Sequence, residues 1–206
     1  MLMSSLAGWA QDANEEDIKS SNQYFGVQAN QLIRQLLNFG GSSGVASNPY
    51  LLIWSVNSKQ TGWGFTSGLG YTHSEVISGD PLNPIRSTIN DFSMRIGFEK
   101  KRMIGQRWLF STGIDLVIES SKDVTKNGSQ FGSIEITTRT SGFGFGPRVT
   151  LNYLISERIL IGTEATYYYK SLKSKQEIDG VEQNGDDTLN QLAFSVPAVI
   201  YVTLKF

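Results

Sequence analysis

The sequence predicts an all-β fold: a closed, antiparallel, up-and-down transmembrane β-barrel of about eight strands. Three observations lead there. The first is the end of the chain. Alternate residues backwards from Phe206 are Leu204, Val202, Ile200, Ala198, Val196 and Phe194, all apolar, whereas those between are Lys205, Thr203, Tyr201, Val199, Pro197 and Ser195. Side chains alternate across a strand, so one face is wholly apolar and the other mixed. The second is repetition of this two-residue period along the chain, with aromatics near the segment ends. The third is that connections are short and long in turn, as in barrels with tight turns at one end and larger loops at the other.

Composition agrees. The 206 residues suit one domain, and 21 glycines, 8 tyrosines and 11 phenylalanines favour strands and turns. A net charge of -1 makes no electrostatic case for nucleic acid, and the absence of cysteine excludes disulfides, thiolate metal sites and a cysteine nucleophile. No apolar run approaches the roughly 18 residues of a transmembrane helix. The mean hydropathy of -0.20 is compatible with a barrel, whose inward half can be polar.

Residues 1–10 (MLMSSLAGWA) read as the truncated remnant of a signal peptide, with Gly8 and Ala10 at the −3 and −1 positions of a cleavage before Gln11. Residues 11–22 form a polar lead-in, and 23–206 the barrel.

The strands follow in order. The first, over residues 22–36, sets Phe25, Val27 and Ala29 against Gly26, Gln28 and Asn30. The second, over 48–57, turns Trp54 and Val56 outward and Ser55 inward, although Leu51-Leu52-Ile53 interrupts its period. The third alternates Trp63, Phe65, Leu69 and Tyr71 with Gly64, Thr66, Gly68 and Gly70. The fourth sets Phe92, Met94, Ile96 and Phe98 against Ser93, Arg95, Gly97 and Glu99, and a turn over 101–106 follows. The fifth sets Trp108, Phe110, Ile114, Leu116 and Ile118 against Ser111, Gly113, Asp115 and Glu119. The sixth, over 133–154, sets Phe143, Phe145, Val149, Leu151 and Tyr153 against Gly144, Gly146, Arg148, Thr150 and Asn152. The seventh sets Ile159, Ile161, Ala165, Tyr167 and Tyr169 against Gly162, Glu164, Thr166 and Tyr168. The eighth is the terminal strand. Residues 40–47, 74–87, 122–132 and 176–187 are long connections on this reading, with Asp80-Pro81, Asn83-Pro84 and Asn127-Gly128 as turn formers.

This order sorts the aromatics into two belts. Phe25, Trp54, Trp63, Phe98, Trp108, Tyr153 and Phe206 fall near one rim; Tyr71, Phe92, Phe143, Tyr167, Tyr169 and Phe194 fall near the other. Aromatic belts flanking an aliphatic band are what a bilayer interface selects. A soluble barrel or sandwich would alternate equally but turn its apolar face inward.

From these residues, above all GFGFGPRVTLNYLISERILIGTEATYYY (142–169) and the terminal YVTLKF, the chain resembles the small outer-membrane β-barrel proteins of Gram-negative bacteria. Its style is that of the outer-membrane beta-barrel domain family common in Bacteroidetes. The resemblance implies the bacterial outer membrane as location, with outer-membrane lipid and lipopolysaccharide as surroundings. It also implies the barrel-assembly machinery as a partner in biogenesis, with Leu204 and Phe206 as the assembly signal. The glycine such families carry five residues before the end is Tyr201 here. Relatives of this kind are structural, adhesive or accessory, so a protein partner in a larger envelope complex is a further expectation.

An eight-stranded barrel is filled by its own side chains. The inward set includes Arg95, Arg148 and Lys205 with Glu99, Asp115, Glu119 and Glu164, which predicts a salt-bridged plug centred on Arg95, Asp115, Arg148 and Glu164. The alternative is a narrow porin-like channel for ions or small solutes lined by the same groups. A lipid-modifying enzyme ranks below both. The sole histidine, His73, precedes Ser74, but adjacent strand residues point to opposite faces and cannot build a triad. No enzyme activity, metal or cofactor is expected: one histidine without cysteine offers no transition-metal cluster, and the glycines of 142–146 lie within a strand rather than before a helix.

Overall fold

The computed structural model describes residues 21–29, 49–80, 83–129, 132–183, 187–197 and 199–206. The expected signal remnant, most of the lead-in and the 40–47 connection lie outside them. The strands are β1 (Ser21–Gln28), β2 (Leu52–Ser58), β3 (Trp63–Asp80), β4 (Asn83–Ile104), β5 (Trp108–Ser129), β6 (Gly132–Leu154), β7 (Ile159–Ile178), β8 (Val181–Glu182), β9 (Asp187–Ser195) and β10 (Tyr201–Lys205).

Every neighbouring pair is antiparallel, and β1 to β7 follow one another around the sheet. β10 closes the ring, pairing with β7 through Tyr201↔Gly162 and with β1 through Val27↔Val202. With β10 as the eighth member this is the predicted up-and-down barrel. Its short turns, over 59–62, 105–107 and 155–158, lie at the end that holds both Ser21 and Phe206. That is the periplasmic end of an outer-membrane barrel.

Burial distinguishes inside from outside. On β5, Ile114 is 66% and Leu116 68% exposed, whereas Asp115 between them is 0% exposed. A closed ring with an apolar exterior and a charged interior satisfies all its backbone groups by strand pairing and presents hydrocarbon to lipid. The protein is an integral barrel of the outer-membrane type. The soluble alternative, with its apolar face inward, does not describe it.

The strand ends depart from expectation. Within the stretches 74–87, 122–132 and 176–187, read as loops from their polarity, residues 74–80, 83–87, 122–129 and 176–178 continue the strands, and 81–82, 130–131 and 184–186 lie outside the described residues. Asp80 pairs with Asn83, Ser129 with Gly132, and Ile178 with Val181. Asn127 and Gly128 do not form a turn; they pair in the ladder with Ile134 and Ser133. β4 runs on to Ile104, through the start of the expected 101–106 turn. At 22 residues for β4 and β5 and 23 for β6, the strands have about twice the 9–11 residues a membrane crossing needs. The surplus stands beyond the ring as paired arms. β1 covers 8 residues, and the rest of its expected span, 30–36, lies outside the described residues; β2, at 7 residues, is shorter than expected.

The terminal strand is interrupted. Ser195 pairs with Thr166 and Tyr201 with Gly162, so six steps along the last strand match four along β7. The excess falls between the two ladders, beside Pro197, which has no N–H to donate. Because the excess is an even number of residues, the facing is preserved across it: Phe194, Val196, Ile200 and Val202 all remain outside.

The two belts are packed. At the periplasmic rim Trp63 stacks on Phe98 at 4.9 Å and Trp108 meets Tyr153 edge-on at 4.9 Å, with Phe25 across from Trp54. At the outer rim Tyr71 faces Phe92, Phe145 meets Tyr169 at 5.9 Å, and Tyr167 meets Phe194 at 6.4 Å. Leu204 and Phe206 face outward at the periplasmic end.

Candidate functional site in the barrel lumen

The lumen is crossed by a layer of ion pairs. Arg95 on β4 grips Glu164 on β7 with two parallel bonds, Nη1–Oε1 and Nη2–Oε2, both 2.7 Å. Its guanidinium lies 4.4 Å over the ring of Tyr50, whose carbonyl accepts a bond of 2.9 Å from the Tyr201 hydroxyl. Arg148 on β6 divides its donors: Nε reaches Asp115 Oδ2 at 2.9 Å and Nη2 reaches Glu99 Oε2 at 3.0 Å. Tyr168 donates to the same Asp115 oxygen at 2.6 Å. Arg95, Glu99, Asp115, Arg148 and Glu164 are all buried.

Two lysines complete the charge balance. Lys101 Nζ lies 2.9 Å from Glu99 Oε1, bonds Ser55, and sits 3.8 Å over the Tyr24 ring. Lys170 Nζ meets Glu119 Oε1 at 2.5 Å nearer the outer mouth. Thus Arg95, Lys101, Arg148 and Lys170 face Glu99, Asp115, Glu119 and Glu164, and the charges of this set cancel. A buried charge left alone in such surroundings would cost several kcal/mol, so the balance is a condition of folding.

Glycines make room for these side chains. Gly97 is the cross-strand partner of Asp115, and a Cβ there would occupy the space of the Asp115 carboxylate. Gly68 is the partner of Arg95, and its Cβ would stand 2.8 Å from Arg95 Nε. Each of these two charged side chains crosses a position with no side chain of its own.

Among the described residues, the layer itself leaves little space. A void of about 30 Å³ lies among Arg95, Glu99, Arg148, Glu164, Tyr201 and Thr203, room for about one water molecule. Below it the periplasmic mouth widens to a cavity of about 580 Å³ lined by Tyr24, Asn57, Lys59, Lys101 and Lys205 among others.

The predicted interior residues therefore fall in three places. Arg95, Glu99, Asp115, Arg148 and Glu164 meet in one layer, and Glu119 lies above it with Lys170. Lys205 stands apart at the periplasmic mouth, and among the described residues it forms no ion pair with the layer. Sequence reasoning missed Lys101, Lys170, Tyr50 and Tyr168 as members. The inward parity that includes Arg95 and Glu99 also includes Lys101, and that of Glu164 and Thr166 includes Tyr168 and Lys170, so the signal was available. Tyr50 lies before β2 and had none. His73 Nδ1 lies 2.7 Å from Asn90 Oδ1 in an exposed pair on the outer arm, with Ser74 on the opposite face of the strand.

Removing the Tyr168 hydroxyl tests the layer gently. Tyr168→Phe leaves one Asp115 bond unmade and should cost about 1–3 kcal/mol in unfolding free energy. Unfolding in urea would read this directly, and an unchanged midpoint would remove Tyr168 from the network.

No protein-family model matches this chain, and no curated protein sequence matches it. Among solved structures it is similar in shape to a major outer membrane protein from Thermus thermophilus, with a TM-score of 0.48 and 9% identity over 90% of this chain and 99% of that one. Acinetobacter baumannii CarO gives a TM-score of 0.40 and 9% identity over 90% of this chain and 96% of that one. The fold and its orientation rest on the closed ring and the inverted burial.

Proposed function

We propose that this chain is a structural, partner-presenting barrel of the bacterial outer membrane, sealed at its centre by the ion-pair layer. The observation that supports the reading is the void at the layer, which at about 30 Å³ is small for a hydrated ion. The arms built from β3 to β7 and β9 rise beyond the ring, and they are the surface on which an envelope partner or adhesive contact would act. The role is interactive rather than catalytic: the only histidine is held by an asparagine, away from Ser74.

Planar-bilayer recording tests the seal. The purified full chain should add no stepwise conductance in symmetric potassium chloride. Reproducible single-channel steps from the folded form would overturn the sealed reading in favour of a narrow pore lined by the same charges.

A further inference from the structure

We propose that the outer face of the β5–β6–β7 arm binds the phosphate groups of lipid A in the outer leaflet, through Lys122, Arg139 and Lys173. This rests on reading the chain as an outer-membrane barrel with its arms outside.

The outward apolar band runs from Trp108 to Ile118 on β5, from Tyr153 to Phe143 on β6, and from Ile159 to Tyr169 on β7. Each is ten residue steps, and at about 3.4 Å per residue with a tilt of about 40° it spans about 26 Å, the height of a barrel's apolar band. Beyond it the three strands follow one pattern. Two positions out comes a serine: Ser120, Ser141 and Ser171. Four positions out comes a cation: Lys122, Arg139 and Lys173. These cations stand about 10 Å above the apolar edge on the same geometry, in the headgroup layer.

Lys122 is the cross-strand partner of Arg139, and Arg139 is the partner of Lys175. Like charges placed directly opposite one another destabilise a sheet. The compensation from this chain is partial: Glu177 stands 3.7 Å from Arg139, and Glu182 pairs with Lys175 at 2.9 Å. Among the described residues, Lys122 and Lys173 have no carboxylate within ion-pair distance, and both are exposed. A row of like charge in the headgroup layer, assembled at a cost to the sheet, is balanced by an anion at that height. The phosphates of lipid A lie there, and they suit Arg139 with Lys122 directly across from it and Lys173, the partner of Ser141, diagonal to it on the next strand. The aromatic edge directly below, formed by Phe143 and Tyr169, packs on the acyl chains of the same lipid.

The test is a native mass-spectrometry titration of the full chain in detergent micelles, with diphosphorylated lipid A and with fully dephosphorylated lipid A as probes. Folding is followed in parallel by the gel shift on boiling. The native chain should favour the phosphorylated lipid at least tenfold. Combined Lys122→Ala, Arg139→Ala and Lys173→Ala replacement should weaken that binding by roughly a hundredfold, at about a fivefold loss per cation. The charge-keeping set Lys122→Arg, Arg139→Lys and Lys173→Arg should retain most of it, and Lys59→Ala in a periplasmic turn should change nothing. Equal binding of the two lipids by a heat-shifting barrel, or an unaffected triple-alanine variant, would overturn the phosphate site while leaving the barrel reading intact. A native chain without a heat-dependent shift would overturn both.

Discussion

Replacing Arg148 with alanine should lower the unfolding free energy by about 3–5 kcal/mol, the cost of breaking a buried ion pair from one side. Among the described residues Arg148 is the sole guanidinium bridging two carboxylates, Asp115 at 2.9 Å and Glu99 at 3.0 Å. Its loss leaves Asp115 with the Tyr168 hydroxyl and Glu99 with Lys101 and the Ser111 hydroxyl. Both carboxylates are buried in the native barrel, Glu99 at 1% and Asp115 at 0% exposed. Urea unfolding of the barrel in phospholipid vesicles, followed by tryptophan fluorescence, would measure the loss. The companion experiment separates charge from packing. Replacing the Arg95–Glu164 pair together by Met and Leu should cost far less than Arg95→Ala alone, since no uncompensated charge remains. If Arg148→Ala unfolds at the native midpoint, the layer does not hold the lumen together.

Ile114→Arg should cost about 2–4 kcal/mol, the penalty for an arginine on the lipid face near the bilayer midplane. Ile114 is 66% exposed and lies near the middle of the outward run from Trp108 to Ile118. In a water-soluble protein, a charge at so exposed a position would be close to neutral. Val181→Arg supplies that comparison: Val181 is 64% exposed but sits on the arm, so its replacement should stay within about 0.5 kcal/mol. Comparing the two variants in the same vesicles isolates the effect of lipid. Equal, small effects at both positions would contradict the membrane placement of the band.

The arms illustrate where sequence reading loses its signal. Within the bilayer one face meets lipid and the other the lumen, so hydrophobicity alternates and the strands are legible. Beyond the bilayer both faces of an arm meet water, and polar strands such as 119–129 and 132–142 carry no period to read. Turn chemistry was the remaining clue, and it was mixed. Asp179-Gly180 is a hairpin dipeptide whose residues both take positive φ, 50° and 77°, at the turn between β7 and β8. Asn127-Gly128 is an equally good turn former on paper, yet it pairs within the ladder, because the β5–β6 register carries the turn past it.

The sequence by itself determined the strand period, the division of side chains into two faces, the two aromatic belts, and the gathering of opposite charges on the polar face. Those features are local: alternation assigns each side chain to a face without reference to any other strand. Tertiary structure decided which face was the interior, since period alone reads the same in a soluble barrel and a membrane one. It also decided the pairing. Arg95 and Glu164 are on strands far apart in the chain, and they meet because ring closure through β10 sets the stagger of every strand. The same stagger placed Lys101 against Glu99, left Lys205 at the mouth, and aligned Lys122, Arg139 and Lys175 across three strands. Facing follows from the chain's own chemistry, whereas height and partnership follow from how the ring closes.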